Sequence, residues 1–351
     1  MKKITLIFFL ISASNVLFAQ YQYPATKTVD SSDTWHNVVV KDPYRWMEDL
    51  KNEETIKWFK AQNDYTESIM NKLPMTDELY HDFLKLDSIE PDKIYKIRQV
   101  GSTYFYFNSK VSESKTILYK RTGESGKEEM LANSNMWGKD FNIADYEIDP
   151  YQQFIAITAA ESGKEIRNVK FYDIAKKKYL TDSLPGMFAG FAPGTGNVYY
   201  LQQPSWDVHV LVAEKDKSYK IHKLGTDTLQ DKVFLSYQTN PELYSPDNSA
   251  SLWPVWLNIS CNYEIINSGS VSPYVDVYYR KINSTGAWKK IISVNDMVTN
   301  YFAKDNKLFL LSKKNAPNGN VLMMNTDRPD IAKATVLIQE KSIPIQSEIS
   351  Q

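Results

Sequence analysis

Apolar and polar positions fall into two textures along the chain. Between Asn52 and Leu86, apolar residues recur at three- and four-residue steps or their multiples. Ile56, Phe59, Thr66, Ile69 and Leu73 form one stripe, and Trp58, Ala61 and Tyr65 lie on the stripe beside it. That period predicts a helix with a broad apolar face. Asn52 is placed to cap it, Glu53 and Glu54 suit its positive N-terminal end, and Pro74 stops it. A second, shorter helix is expected from Thr76 or Asp77, carrying Leu79, Phe83, Leu84 and Leu86.

From Tyr95 the period changes. "KIYKIRQVGSTYFYFNSK" and "KTILYKRTGESGKEEML" are alternating or continuous apolar runs split by turn residues, the pattern of strands. Four further rounds repeat the theme, each with a turn near its start, at Pro150, Gly194, Asp247 and Asp305. Counted from Gly101, the steps are 49, 44, 53 and 58 residues. Four strands per unit at about 40–50 residues is the spacing of propeller blades. A β-sandwich is the alternative, but the recurring order of turn, strand, loop and strand favours the propeller. The expected fold is therefore mainly β: an incomplete β-propeller of about five four-stranded blades preceded by an N-terminal helical segment. The tail "EKSIPIQSEISQ" breaks off where another blade would begin.

Composition supports this picture and adds an address. Aromatics make up 13% of the 351 residues, with 23 tyrosines, and such side chains suit a pleated, half-buried surface. The net charge of −1, with charges scattered rather than blocked, gives no reason to expect nucleic acid or an anionic membrane surface as a partner. Lys2 and Lys3, the apolar core Ile4 to Ile11 continued to Phe18, and Ala19 before Gln20 predict a secretory signal cut after Ala19. The apolar run is short for a membrane span, and no cysteine lies near the cut to carry a lipid anchor. The expected organisation is a signal peptide at 1–19, a helical segment at 20–90 and a partial propeller at 91–351, in a periplasmic or secreted protein.

Candidate chemistry is sparse. Cys261 is the single cysteine, so no intramolecular disulfide can form; between apolar strands it reads as a small core residue. The four histidines are His36, His81, His209 and His222. His209 and His222 are expected in one strand pair, and each reads as a surface or satisfied core residue rather than a catalyst. Asp145, Glu147 and Asp149 alternate and are expected on one face of a strand, as an exposed edge, with a calcium site as the alternative. Neither His-Glu-x-x-His nor Cys-x-x-Cys occurs, and "GESGK" at Gly123 lacks the spacing of a phosphate loop. Trp253, Pro254, Val255 and Trp256 read as packing between blades, with a ligand-binding face as the alternative. No catalytic, cofactor or metal residue is nominated.

"DPYRWMED" followed by "TIKWFKAQN", with "YPATKT" upstream and "GSTYFYFNSK…KTILYKR" downstream, resembles the N-terminal signature of the prolyl oligopeptidases over Tyr23 to Arg121. Beyond that only blade-like spacing remains; the family's Ser-x-Asp-Gly turn stands here as "IDPYQQ", "APGTGN" and "SPDNSA". The resemblance implies a serine endopeptidase cutting short peptides after proline. It implies a propeller that filters access to an α/β-hydrolase domain, on which the N-terminal helices pack. The nucleophile elbow of such a domain needs Gly-x-Ser-x-Gly, a pattern found nowhere in these 351 residues. The expectation is thus the N-terminal and propeller portion of such an enzyme, without the hydrolase domain and inactive by itself. Its expected partners are short proline-containing peptides and a separately encoded hydrolase domain. The alternative is a non-enzymatic secreted propeller binding peptide or glycan.

Overall fold

A computed structural model describes residues 21–89, 92–110, 115–207, 210, 212–244, 250–255 and 261–345. The expected signal peptide, His209, Trp256 and Asp247 lie outside these residues. The chain divides into two compact units, Met1–Pro91 and Asp92–Gln351.

The first unit is built on local hydrogen bonds. Strands β1 (Ser32–Trp35) and β2 (Val38–Lys41) form a hairpin. Its two turn residues, His36 and Asn37, both have positive φ, 49° and 66°, as a tight two-residue hairpin turn requires. Helix α1 (Glu53–Met70) starts where the sequence says, with the Asn52 side chain accepting from the Glu54 amide at 2.8 Å. Helix α2 (Thr76–Ile89) follows. The "DPYRWMED" run ties this unit together. Arg45 reaches Asp33 at 3.0 Å and Asp42 at 3.1 Å. The Trp46 indole donates to the Lys27 carbonyl at 2.9 Å, and the Trp58 indole donates to the Thr26 hydroxyl at 3.1 Å. The two indoles meet edge to face, 6.4 Å apart. These contacts leave the apolar stripe uncovered: Thr55 is the one buried residue of α1, and α2 has none.

The second unit holds five four-stranded antiparallel sheets among the described residues. Blade I contains β3 (Asp92–Val100), β4 (Thr103–Lys110), β5 (Ile117–Thr122) and β6 (Glu129–Ala132). Blade II contains β7 (Phe141–Ile148), β8 (Phe154–Glu161), β9 (Arg167–Asp173) and β10 (Lys178–Tyr179). Blade III contains β11 (Met187–Phe191), β12 (Asn197–Gln202), β13 (Ser218–Lys223) and β14 (Lys232–Ser236). Blade IV contains β15 (Ser251–Val255), β16 (Tyr263–Gly269), β17 (Asp276–Lys281) and β18 (Lys289–Ile292). Blade V contains β19 (Val298–Lys304), β20 (Lys307–Ser312), β21 (Asn320–Asn325) and β22 (Thr335–Ile338). Each sheet pairs its strands in chain order, so this is a five-blade β-propeller, mainly β, preceded in the chain by two α-helices among the described residues.

The turns at Gly101, Pro150, Gly194 and Asp305 join the first and second strands of blades I, II, III and V. Blade IV departs from the expected repeat. Asp247 precedes its first strand, and the equivalent connection lies between Val255 and Tyr263.

Alternation along the strands sends one side chain of each pair into a neighbouring blade. Phe105, Leu118, Ile143 and Tyr146 share a buried cluster between blades I and II. Phe171 and Val198 do so between II and III, and Tyr199, Leu235, Leu252 and Ile266 between III and IV. Ile265, Val277, Leu308 and Leu310 fill the space between IV and V, together with Cys261. Four interfaces thus have apolar cores, and among the described residues no further cluster joins blade V to blade I.

Candidate functional site

The first strands of the blades wall a common space. Lys96 and Arg98 of β3, Glu147 and Ile148 of β7, Ala189 and Gly190 of β11, and Trp253 to Val255 of β15 line a cavity of about 510 Å³. A second cavity of about 510 Å³ continues from Trp253 and Val255 to Asn300 and Tyr301 of β19. Local irregularity shapes this wall. Pairing with the second strand shifts register between Tyr95 and Arg98, Ile143 and Asp145, Phe188 and Gly190, and Val298 and Asn300. Such bulges bend a strand and re-aim its side chains. Gly190, at φ 120°, takes a backbone conformation that only glycine adopts freely. Blade IV lacks this bulge; its first strand carries Pro254 instead, which an inner edge tolerates because it faces no further strand.

Charge concentrates where blades I and II meet. The Lys96 ammonium pairs with the Asp145 carboxylate across the interface. It also sits 5.7 Å from the Tyr146 ring centre. The Tyr146 hydroxyl donates to the Phe105 carbonyl at 2.9 Å and also to the Lys96 carbonyl. This hydroxyl is held well above its ordinary pKa, chiefly by burial, so it remains a donor. Glu147 is exposed and opens onto the cavity, with the strands of two blades massed around it. Burial pushes its carboxyl above the usual value and Asp145 adds to this, while Lys96 and Arg167 pull the other way.

The three alternating acids do not form one face. Asp145 and Glu147 lie on the cavity-lining strand of blade II. Asp149 lies past its end and is buried, accepting from the amides of Tyr151 at 3.1 Å and of Gln153 and Phe154 at 2.6 Å each. It organises the β7–β8 turn. Pairing is regular from Asp145 to Ile148, so the alternation expected of the sequence ends only at this turn. No cluster of three metal-binding side chains occurs among the described residues.

His222 is fully buried on β13, opposite Val198 of β12, and the expected pairing with His209 falls outside the described residues. His36 stands in the β1–β2 turn, and His81 Nδ1 donates to the Asp77 carbonyl at 2.7 Å within α2. Cys261 is buried, and burial raises its thiol pKa, as expected of an inert core thiol. Trp253 and Val255 divide the roles weighed for them: both line the cavities, while Leu252 beside them packs into the core and Val255 also packs against the cluster between blades IV and V.

Sheets of four strands around a shared cavity define a β-propeller domain. The family model described as "Prolyl oligopeptidase, N-terminal beta-propeller domain" matches residues 23–351, and the chain belongs to that family. It is 24% identical over 341 residues to a prolyl endopeptidase of Elizabethkingia meningoseptica, covering 95% of this chain and 46% of that protein. The corresponding enzyme of Elizabethkingia miricola is 25% identical over 334 residues, covering 93% and 46%. A solved prolyl endopeptidase structure superposes with a TM-score of 0.73 at 23% identity, over 92% of this chain and 47% of that one. Prolyl oligopeptidase B from Galerina marginata, bound to a 35-residue substrate, superposes at 0.68 with 16% identity, over 91% and 48%. The chain thus spans about half the length of the curated relatives it matches.

Proposed function

We propose that this propeller serves a serine endopeptidase acting on short proline-containing peptides, and that its part is to admit and hold the peptide rather than to cut it. The observation that carries this reading is the wall of first strands, where Lys96, Arg98, Glu147 and Trp253 offer both charges and an apolar ring to one cavity. A cavity of about 510 Å³ suits a short extended peptide better than a folded protein. The relatives are prolyl endopeptidases, and residues 1–351 contain no nucleophile elbow. The serine, histidine and acid of the reaction are to be sought in a hydrolase domain outside these residues. The basic start, apolar run and Ala19 support export to the periplasm or medium.

Titration calorimetry of the chain with a short proline-containing peptide tests the binding role. Saturable binding is expected, weakened about tenfold by Trp253→Ala, on the scale of one lost aromatic contact. Equal affinity in the variant, or no binding by the folded chain, contradicts the assignment of the cavity.

A further inference from the structure

His222 is held in a way no peptide-binding role requires. Its ring is fully buried. Nδ1 lies 2.8 Å from an Asp231 carboxylate oxygen and Nε2 lies 3.0 Å from an Asp182 carboxylate oxygen. Both carboxylates are themselves sequestered, with side-chain exposures of 2% and 4%. Asp231 also accepts from the Tyr200 hydroxyl at 2.9 Å, and Asp182 from the Gly225 amide at 2.5 Å.

A neutral imidazole donates through one nitrogen only. The other would turn a bare lone pair toward a carboxylate that is also an acceptor, in a site closed to water, where unmatched polar atoms are costly. Two acids flanking one ring favour the proton on the ring. We infer that His222 is a buried imidazolium that clasps blade II to blade III. Asp182 belongs to the connection between β10 and β11, whose Leu180 and Leu184 pack against the core shared by these blades. Asp231 belongs to the turn before β14. The ring on β13 therefore fastens the chain's exit from one blade to the body of the next.

The titratable groups facing the ring are Asp182, Asp231 and, through Asp231, Tyr200. Of the nearby cations, Lys223 reaches instead to the Thr195 carbonyl, Lys232 is exposed, and Lys220 lies two residues earlier in β13.

Nitrogen NMR of the histidine-labelled chain tests the charge state directly, with the His222 ring signals assigned through its own backbone resonances. Both ring nitrogens should carry slowly exchanging protons at neutral pH; a ring with one protonated and one bare nitrogen overturns the inference. Hydrogen exchange tests the clasp. In His222→Gln, protection at Gly225 and across 180–186 should fall about tenfold or more relative to the native chain, the scale of a lost charge-assisted hydrogen bond. Equal protection in the folded variant overturns the clasp. Where the variant does not fold, the ring spectrum of the native chain decides.

Discussion

At Glu147 two influences oppose each other. The blades around it disfavour its charge and Asp145 adds to that, while Lys96 and Arg167 favour the ionised form; the balance lies above the ordinary value, and because the side chain is exposed, solvent screening keeps the effect small. The folded chain therefore binds more protons at this residue than the unfolded chain between the ordinary glutamate pKa and the raised folded value. In that window stability falls as pH rises. Glu147→Gln should raise the melting temperature at neutral pH. The gain should vanish in acid below the ordinary glutamate value, where the native side chain is neutral in both states. A variant less stable than the native chain at neutral pH would show that the carboxylate is satisfied by its cations instead. Reading the sequence pairs Glu147 with Asp145 and Asp149 by position. It cannot show that Asp149 turns inward, because that depends on three amides of the following turn.

Among the elements, the strands were legible and their irregularities were not. Alternating runs such as "FIAITAAE" and "NVYYLQ" announce strands because each must bury one face or both between blades. The cap of α1 and the start of α2 were legible for a similar reason, since Asn52 acts through its immediate neighbours, whereas α1 ends at Met70, a turn before Pro74. Bulges arise from pairing with another strand, which local sequence does not encode. They set the wall of the cavity, so the candidate site stayed hidden although its fold did not. The repeat spacing failed at blade IV because Asp247 looks like the other turns, while the functional equivalent lies beyond Val255. Where a turn rests on one side chain, the consequence can be measured. Asp149 is 1% exposed and accepts three backbone amides. Asp149→Ala should cost about 1–3 kcal/mol, the penalty for leaving buried donors unpaired, read as a lower denaturant midpoint with unchanged slope. A loss below about 0.5 kcal/mol would mean that solvent replaces the carboxylate there.

At the scale of the whole molecule, apolar surface is unevenly spent. The blades bury it in four successive cores, but the N-terminal unit does not. Phe83 of α2 is 68% exposed and Leu86 is 62% exposed, and Ile56 and Phe59 of α1 are about half exposed. An uncovered stripe of this kind drives association. In the chain by itself, sedimentation should show concentration-dependent self-association, and the double variant Phe83→Lys with Leu86→Lys should reduce it without lowering the melting temperature. Association unchanged by the lysines would place the sticky surface elsewhere.

The central claim is that the propeller carries peptide recognition and the cutting chemistry lies outside these residues. Treating the purified chain with a serine-reactive fluorophosphonate probe, alongside a chromogenic prolyl peptide, tests it most directly. The account predicts neither stoichiometric labelling nor turnover. One serine labelled mole for mole, with turnover lost in step, would contradict it.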